Sequence, residues 1–257
     1  MENPFKHINQ PLKEVPEELK SKVKAMTSEL ENANNALDLF SHSVSHDLRA
    51  PLRAINGFSG LLEKKFQNVL GSEGLRLLEV ITTSATKMDH LILGLQALST
   101  VTRMEIAKIS INTDDMVRSC ISEVLSSEDR SQITFKVENL IPIIGDPKLI
   151  RKVWVNLIEN AVKYSRKKEK PIVQITNQLE NNFVVFCVND NGAGFNPEYQ
   201  YKLFDLFHKL HDIDEFTGIG VGLAIVDSIV QKHGGKVWAK GIEGIGATFY
   251  FSIPIAE

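Results

Sequence analysis

What the sequence lacks narrows the field before any pattern in it is read. It holds only two cysteines, Cys120 and Cys187, far apart and in no CxxC pair. A disulfide framework and a cysteine zinc site are therefore both unexpected, and the two read as reduced, buried thiols. No apolar run approaches the roughly 18 residues of a membrane span. The opening Met1-Glu2-Asn3-Pro4-Phe5-Lys6-His7 carries no apolar signal-peptide segment. Charge of one sign is missing too: the formal net charge is −3, which advertises neither nucleic acid nor an anionic membrane surface. No internal repeat or low-complexity tract occurs. The glycine clusters are not followed by Lys-Ser or Lys-Thr, so there is no P-loop. No strand-borne GxGxxG is followed by an acid about 20 residues on, which argues against a Rossmann site. Together these absences predict a cytoplasmic globular protein with no nucleic-acid partner and no membrane span.

What is present falls into two halves with different periodicities. Pro16-Glu17-Glu18 suits a helix start, since proline fits the first turn and acids the positive helix end. Apolar residues then recur at Leu19, Val23, Met26, Leu30, Ala33, Leu37, Phe40 and Val44. Steps alternating between four and three make a heptad seam and predict a dimerising coiled coil. The seam continues, slightly out of phase, through Leu48, Leu52, Ile55 and Leu62. Gly71-Ser72-Glu73-Gly74 breaks it, and a second stripe follows at Leu78, Ile81, Ala85, Met88, Leu91, Leu95 and Leu98. A helical hairpin is expected, two copies of which form a four-helix bundle.

From Ile109 the pattern changes. Strands are predicted at Ile133–Val137, Pro171–Thr176, Phe183–Asn189, Lys236–Lys240 and Ala247–Ile253, with helices over 113–126, 147–164 and 219–233. This mixture predicts an α/β sandwich, so the whole chain is α plus α/β. The expected organisation is a flexible N-terminus at 1–15, a coiled-coil lead-in and dimerisation hairpin at 16–102, a linker at 103–108 and the α/β domain at 109–257.

Three glycine clusters lie in the second half: Asp190-Asn191-Gly192-Ala193-Gly194, Gly218-Ile219-Gly220-Val221-Gly222 and Gly244-Ile245-Gly246. The middle one opens into Leu223-Ala224-Ile225-Val226, and glycines feeding a helix start favour phosphate through unpaired N–H groups and the helix dipole. Taken singly, each cluster more often just turns the chain. On the helix over 147–164, Asn156, Asn160 and Lys163 lie four and three apart and so share one face. An amide oxygen suits Mg²⁺ carrying nucleotide phosphates, and a lysine neutralises a phosphate oxygen. The bland reading is a solvated polar face; Trp154, Leu157, Ile158 and Ala161 on the opposite face weaken it.

These residues resemble a known family. Asn156-Leu157-Ile158-Glu159-Asn160-Ala161-Val162-Lys163-Tyr164-Ser165 is similar to the N box of the GHKL (Bergerat) ATP-binding fold as found in histidine kinases. Asp190 to Gly194 and Gly218 to Leu223 resemble its two glycine boxes. Leu203-Phe204-Asp205-Leu206-Phe207-His208-Lys209 resembles its phenylalanine box, and Gly244-Ile245-Gly246-Ala247-Thr248-Phe249 its terminal glycine motif. The resemblance implies ATP and Mg²⁺ as cofactors, with Asp190 receiving the adenine amino group, Asn160 holding Mg²⁺ and Lys163 near the phosphates. It also brings Tyr164, Gly192, Gly194, Phe204, Lys209, Gly218, Gly220, Gly222, Leu223 and Thr248 to the nucleotide. Residues 208–218 become a short lid, and Lys209 stands where many relatives carry arginine.

Upstream, Phe40-Ser41-His42-Ser43-Val44-Ser45-His46-Asp47-Leu48-Arg49-Ala50-Pro51-Leu52 resembles the family's H box, in which the histidine before the acid is phosphorylated. A neutral imidazole is nucleophilic near neutral pH, and Asp47 is the candidate to hold its other ring N–H. His42 is the competitor one turn earlier; the SHDLRxPL context selects His46. Pro51 is expected to bend the helix just beyond it. Ala50 stands where many relatives carry a threonine or asparagine that helps dephosphorylate a partner, so weak phosphatase activity is expected. The spelling around His46 and the lid is most similar to phytochrome-like and related sensor kinases.

The resemblance thus implies a dimeric protein-histidine kinase of a two-component system. It would autophosphorylate His46 and pass the phosphoryl group to an aspartate of a response-regulator receiver domain, under an upstream sensor module absent from this chain. Two alternatives stand beside it: a GHKL-type ATPase, and a nucleotide-binding dimeric scaffold without kinase activity. Asn156 argues against the first, since it occupies the place of the ATPases' water-activating glutamate.

Overall fold

The computed structural model describes residues 17–125, 132–206 and 220–255. The expected N-terminal tail and the expected lid both lie outside the described residues. The chain divides into two compact units at His46/Asp47. In the first, the described part is helix, the beginning of α1 (Glu17–Arg103).

In the second unit α1 continues and folds back on itself. Gly71, at φ 63° and ψ 179°, is the one non-helical residue inside it. That region of backbone space is closed to residues with a Cβ. The turn is therefore shorter than the expected 71–74 break, since helix resumes at Ser72 and Glu73 already pairs with Arg76 at 2.7 Å across one exposed turn. Two arms result, over 47–70 and 72–103, and they run antiparallel. Arg49 on the first reaches both Gln96 (2.5 Å) and Asp89 (3.6 Å) on the second. Leu52 buries itself between Ala85 and Ile92. The backbone stays helical through Pro51, so it is Gly71 and not the proline that interrupts α1. Leu48, Ile55, Phe58, Phe66 and Val69 on the first arm and Val80, Ile81 and Met88 on the second remain exposed, too much apolar surface for an unpartnered hairpin.

The rest of this unit is a five-stranded sheet with helices on one face. Strands are β1 (Ile109–Ile111), β2 (Thr134–Val137), β3 (Ile143–Gly145), β4 (Ile172–Glu180), β5 (Phe183–Asp190), β6 (Val237–Ile242) and β7 (Gly246–Pro254). Helices are α2 (Thr113–Val124), α3 (Pro147–Ser165) and α4 (Gly222–Lys232), with a 3₁₀ turn at Pro197–Lys202. The main sheet runs β2-β4-β5-β7-β6, with only β2 and β4 parallel. The unpredicted short strands β1 and β3 pair by themselves; at three residues each they are too brief to show alternation. Asn181, at φ 51°, makes the tight β4–β5 turn expected there.

Local chemistry sets α3 as the central helix. Asp146 accepts the N–H groups of Lys148 (2.9 Å) and Leu149 (3.1 Å), and Pro147 occupies the first turn, where a missing N–H costs nothing. Its apolar residues fall three and four apart, and from Leu149 to Val162 they are buried against β4, β5 and β7. Trp154 meets Phe186 and Phe251 edge-on, at 5.3 and 5.0 Å between ring centres. Such pairs add roughly 0.5–1.5 kcal/mol each beyond area burial. With α2 and α4 on either side, α3 carries its Asn156–Tyr164 stretch past the end of β5.

Candidate functional site

The site grows from that end of β5. Asp190 is its last residue, 2% exposed. Its carboxylate accepts the Gly192 N–H at 2.8 Å and the N–H of Ala247 across the ladder. Burial pushes its pKa up to about 6, against the lowering effects of those two N–H groups and of the Lys168 charge. A carboxylate held so deep and so little compensated is poised to accept a further donor. Tyr164, at the end of α3, lies beside it: burial and the Asp190 charge both raise the Tyr164 hydroxyl.

Backbone closes round this acid. The Tyr164 carbonyl accepts the Ala193 N–H (3.1 Å), and the Ala193 carbonyl accepts that of Gly244 (2.7 Å). Lys168 then ties the Gly244 carbonyl to the loop after α3 at 2.7 Å. A Cβ on Gly194, which sits at φ +65°, would fall 1.9 Å from the Ile242 carbonyl oxygen. The first and last glycine segments are thus packed directly on each other at one edge.

The described part of the middle segment, Gly220 to Gly222, leads into α4, where Gly220 turns the chain at φ +75° and Val221 caps the helix without any side-chain hydrogen bond. By contrast α2 and α3 both begin on side-chain caps, Asn112 and Asp146. The first-turn N–H groups of α4 therefore remain for an anion. A Cβ on Gly222 would come within 2.5 Å of the Asn156 side-chain oxygen, so α3 and this uncapped end touch. Asn156 is fixed by donating to the Lys152 carbonyl (2.7 Å). Asn160 and Lys163 follow on the same face, half-buried. Lys163 Nζ stands 4.4 Å from the Tyr164 ring centre and 3.2 Å from its hydroxyl. Phe204 and Leu223 are half-buried and pack on the domain core rather than standing free.

Not every expected residue joins this group. Thr248 pairs with Asn189 on the ladder, whereas Asp190 pairs with Ala247. Alternation along a strand then puts Thr248 on the opposite face of the sheet from Asp190. There its hydroxyl accepts from the Asn189 amide at 2.7 Å, so the contribution of β7 to Asp190 is the Ala247 N–H instead. Lys209 and Gly218 lie outside the described residues. His46 lies on α1, with its side chain also outside them; Asp47 and Ala50 follow, both exposed. Sequence reasoning passed over Lys168, because nothing in Arg166-Lys167-Lys168-Glu169-Lys170 marks one lysine among four basic residues.

Comparison with known proteins accounts for both halves. The family model described as "His Kinase A (phospho-acceptor) domain" matches residues 36–103, and that described as "Histidine kinase-, DNA gyrase B-, and HSP90-like ATPase" matches 145–257. The chain belongs to the histidine kinases. This kinase core is 29% identical over 228 residues to the phytochrome-like protein Cph1 of Synechocystis sp., covering 89% of the chain and 30% of that protein. It is 33% identical over 237 residues to the methanogenesis regulatory histidine kinase FilI of Methanothrix harundinacea, covering 91% of the chain and 26% of that protein. The chain thus spans less than a third of the length of these relatives. Among solved structures it resembles full-length ShkA in complex with AMPPNP, at a TM-score of 0.58 and 26% identity over 84% of this chain and 45% of that one. It shares the fold of the Acinetobacter baumannii histidine kinase AdeS, at a TM-score of 0.56 and 20% identity over 82% of this chain and 98% of that one. The likeness to phytochrome-like kinases read from the spelling of the sequence is therefore present among its relatives. No helix among the described residues is long and apolar enough to cross a membrane.

Proposed function

We propose that this chain is the catalytic core of a cytoplasmic two-component sensor kinase that transfers the ATP γ-phosphoryl group to His46. The observation that carries the nucleotide half of the reading is Asp190, an acid 2% exposed at the edge where two glycine segments meet the Asn156–Tyr164 stretch of α3. An exocyclic amino group is the donor such a carboxylate lacks, and adenine supplies one. The phosphates then lie toward the uncapped start of α4, with Lys163 and Asn156 on the facing helix. Asn160 offers an amide oxygen, which fits Mg²⁺, an ion that takes few protein ligands and completes its shell from phosphates and water. When bound, Mg²⁺ offsets the negative charge on the phosphate oxygens.

In the transfer itself, an imidazole nitrogen of His46 forms the P–N bond as the bond from the γ-phosphorus to the β,γ-bridging oxygen breaks, and ADP leaves with that electron pair. Asp47 holds the other ring N–H, which offsets the positive charge developing on the imidazole. The phosphoryl group then passes to an aspartate of a response-regulator receiver domain. An upstream sensor module, outside this chain, would supply the signal. The exposed apolar surface of the α1 hairpin supports homodimerisation as a four-helix bundle, with residues 16–100 as the contact. Asn156 has no basic oxygen with which to activate water, which favours transfer over ATP hydrolysis.

The test is incubation with γ-labelled ATP and Mg²⁺ of wild type, His46→Gln and His42→Gln. An acid-labile, base-stable label that disappears in His46→Gln and persists in His42→Gln is the expected result. Label retained by His46→Gln refutes the phosphoacceptor.

A further inference from the structure

The last turn of α1 and the segment joining it to β1 are gripped at several points by the far ends of α3 and α4, away from the nucleotide edge. Lys232 is the last residue of α4, and its ammonium donates to the carbonyls of Val101 (3.0 Å) and Met104 (2.6 Å). These carbonyls close the C-terminal turn of α1, where no further helical N–H follows to bond them. A cation there also suits the negative end of the helix dipole. Val101 itself is fully buried in the core of the α/β layer, and Ile106 packs on the same core.

Three residues after Met104 the backbone is held again. The Ala107 N–H donates to Asp146 Oδ2 at 3.1 Å, while Asp146 Oδ1 caps α3. Asp146 is in turn held by its own N–H, which donates to His233 Nε2 at 3.0 Å. His233 is 2% exposed, and its Nδ1–H donates to the Ile229 carbonyl at 2.8 Å, so both ring nitrogens are used. Gly145 leaves the room for this ring: a Cβ there would lie 3.2 Å from His233 Nε2. Burial alone would raise the Asp146 carboxyl; the N–H groups of Leu149, Ala107 and Lys148, with His233, outweigh it and keep it below the usual range. One acid therefore serves two tasks, starting α3 and fastening the linker.

We propose that Lys232 and Asp146 are positioning residues for phosphoryl transfer: they clamp residues 101–107 onto the ATP-binding layer and so fix how that layer is carried by the phosphoacceptor hairpin. Neither side chain lies at the nucleotide edge; Gly94 of the hairpin also packs closely on Val221, and the clamp acts beside that contact, through residues 101–107. A loosened linker leaves the nucleotide pocket intact but lowers the fraction of time the γ-phosphoryl group is presented to a histidine. The inference rests on the kinase reading, and its test separates the two.

The whole chain is compared as wild type, Lys232→Met, which keeps the length and removes the donor, and Lys232→Arg, which restores one. Trypsin cleavage after Arg103 and Lys108 reports linker release and needs no catalysis. Lys232→Met is expected to be cut there at least about tenfold faster and to label at least about tenfold more slowly at saturating ATP, as loss of a charged hydrogen bond implies. Its KM for ATP and its affinity for a fluorescent ATP analogue stay at wild-type values, and Lys232→Arg recovers both rates. Wild-type cleavage and labelling in Lys232→Met overturn the clamp, as does a parallel loss of nucleotide affinity, which would mean that α4 itself had failed. A wild type that takes up no label refutes the kinase reading, and linker cleavage tells that failure from failure of the clamp.

Discussion

Replacing Asp190 with asparagine separates what this acid does for the fold from what it does for the ligand. The wild-type carboxyl titrates at about 6, against about 3.9 for a free aspartate. That gap means the ionised form costs the native state about 3 kcal/mol at neutral pH. The amide removes this cost. It also turns one accepting oxygen into a donor, facing a backbone N–H of Gly192 or Ala247, and a buried N–H left unmet costs about 1–3 kcal/mol. The two nearly cancel, so Asp190→Asn is expected to unfold within about 2 kcal/mol of wild type at about pH 7.5. The pH dependence carries the sign. Because the native carboxyl keeps its proton to higher pH than the unfolded one, its stabilisation is complete below about pH 4 and is lost as pH rises through about 6. Urea unfolding should therefore show wild type gaining about 2 kcal/mol over the variant between about pH 7.5 and about pH 4.5. Nucleotide affinity at neutral pH should fall about 10- to 100-fold, the worth of a hydrogen bond to a charged acceptor. A stability difference that does not move with pH would refute the raised pKa, and unchanged affinity would refute the adenine contact.

Three further outcomes are open to the same kind of test. Gly194→Ala combines φ +65° with a Cβ 1.9 Å from a backbone oxygen and should cost at least about 2 kcal/mol in denaturant unfolding. Gly222→Ala, whose new methyl meets only the Asn156 side chain, should instead spare stability and slow labelling, because the displaced amide belongs to the phosphate side. Ala50→Thr adds a hydroxyl at an exposed position four residues after His46. It should raise dephosphorylation of a phosphorylated receiver domain about 100-fold, the low end of what a positioned polar group contributes; an unchanged rate refutes the expectation that Ala50 weakens phosphatase activity.

Much of this protein could be read without coordinates, for a physical reason. Helix and strand leave their mark in the order of residues, so the stripe from Leu149 to Val162 and the short apolar run Phe183–Val188 announced α3 and β5. The chemistry of His46-Asp47 and of Asn156, Asn160 and Lys163 is likewise local, because those residues are neighbours along a helix. Other features depend on which distant backbone lies alongside, and no local pattern carries that. The ladder register decides that Ala247 rather than Thr248 faces Asp190. Burial beneath Tyr164 and the β7 edge decides that an ordinary aspartate titrates near neutrality. A single left-handed glycine, not a four-residue loop, reverses α1. Only the packing of α3 and α4 ends against one linker turns Asp146 and Lys232, a helix cap and a charged helix end in sequence, into a clamp. The sequence by itself determined the elements and the reactive groups, since both are written in nearest neighbours. The tertiary structure alone decided desolvation, facing and grip, since each is set by residues far apart in the chain.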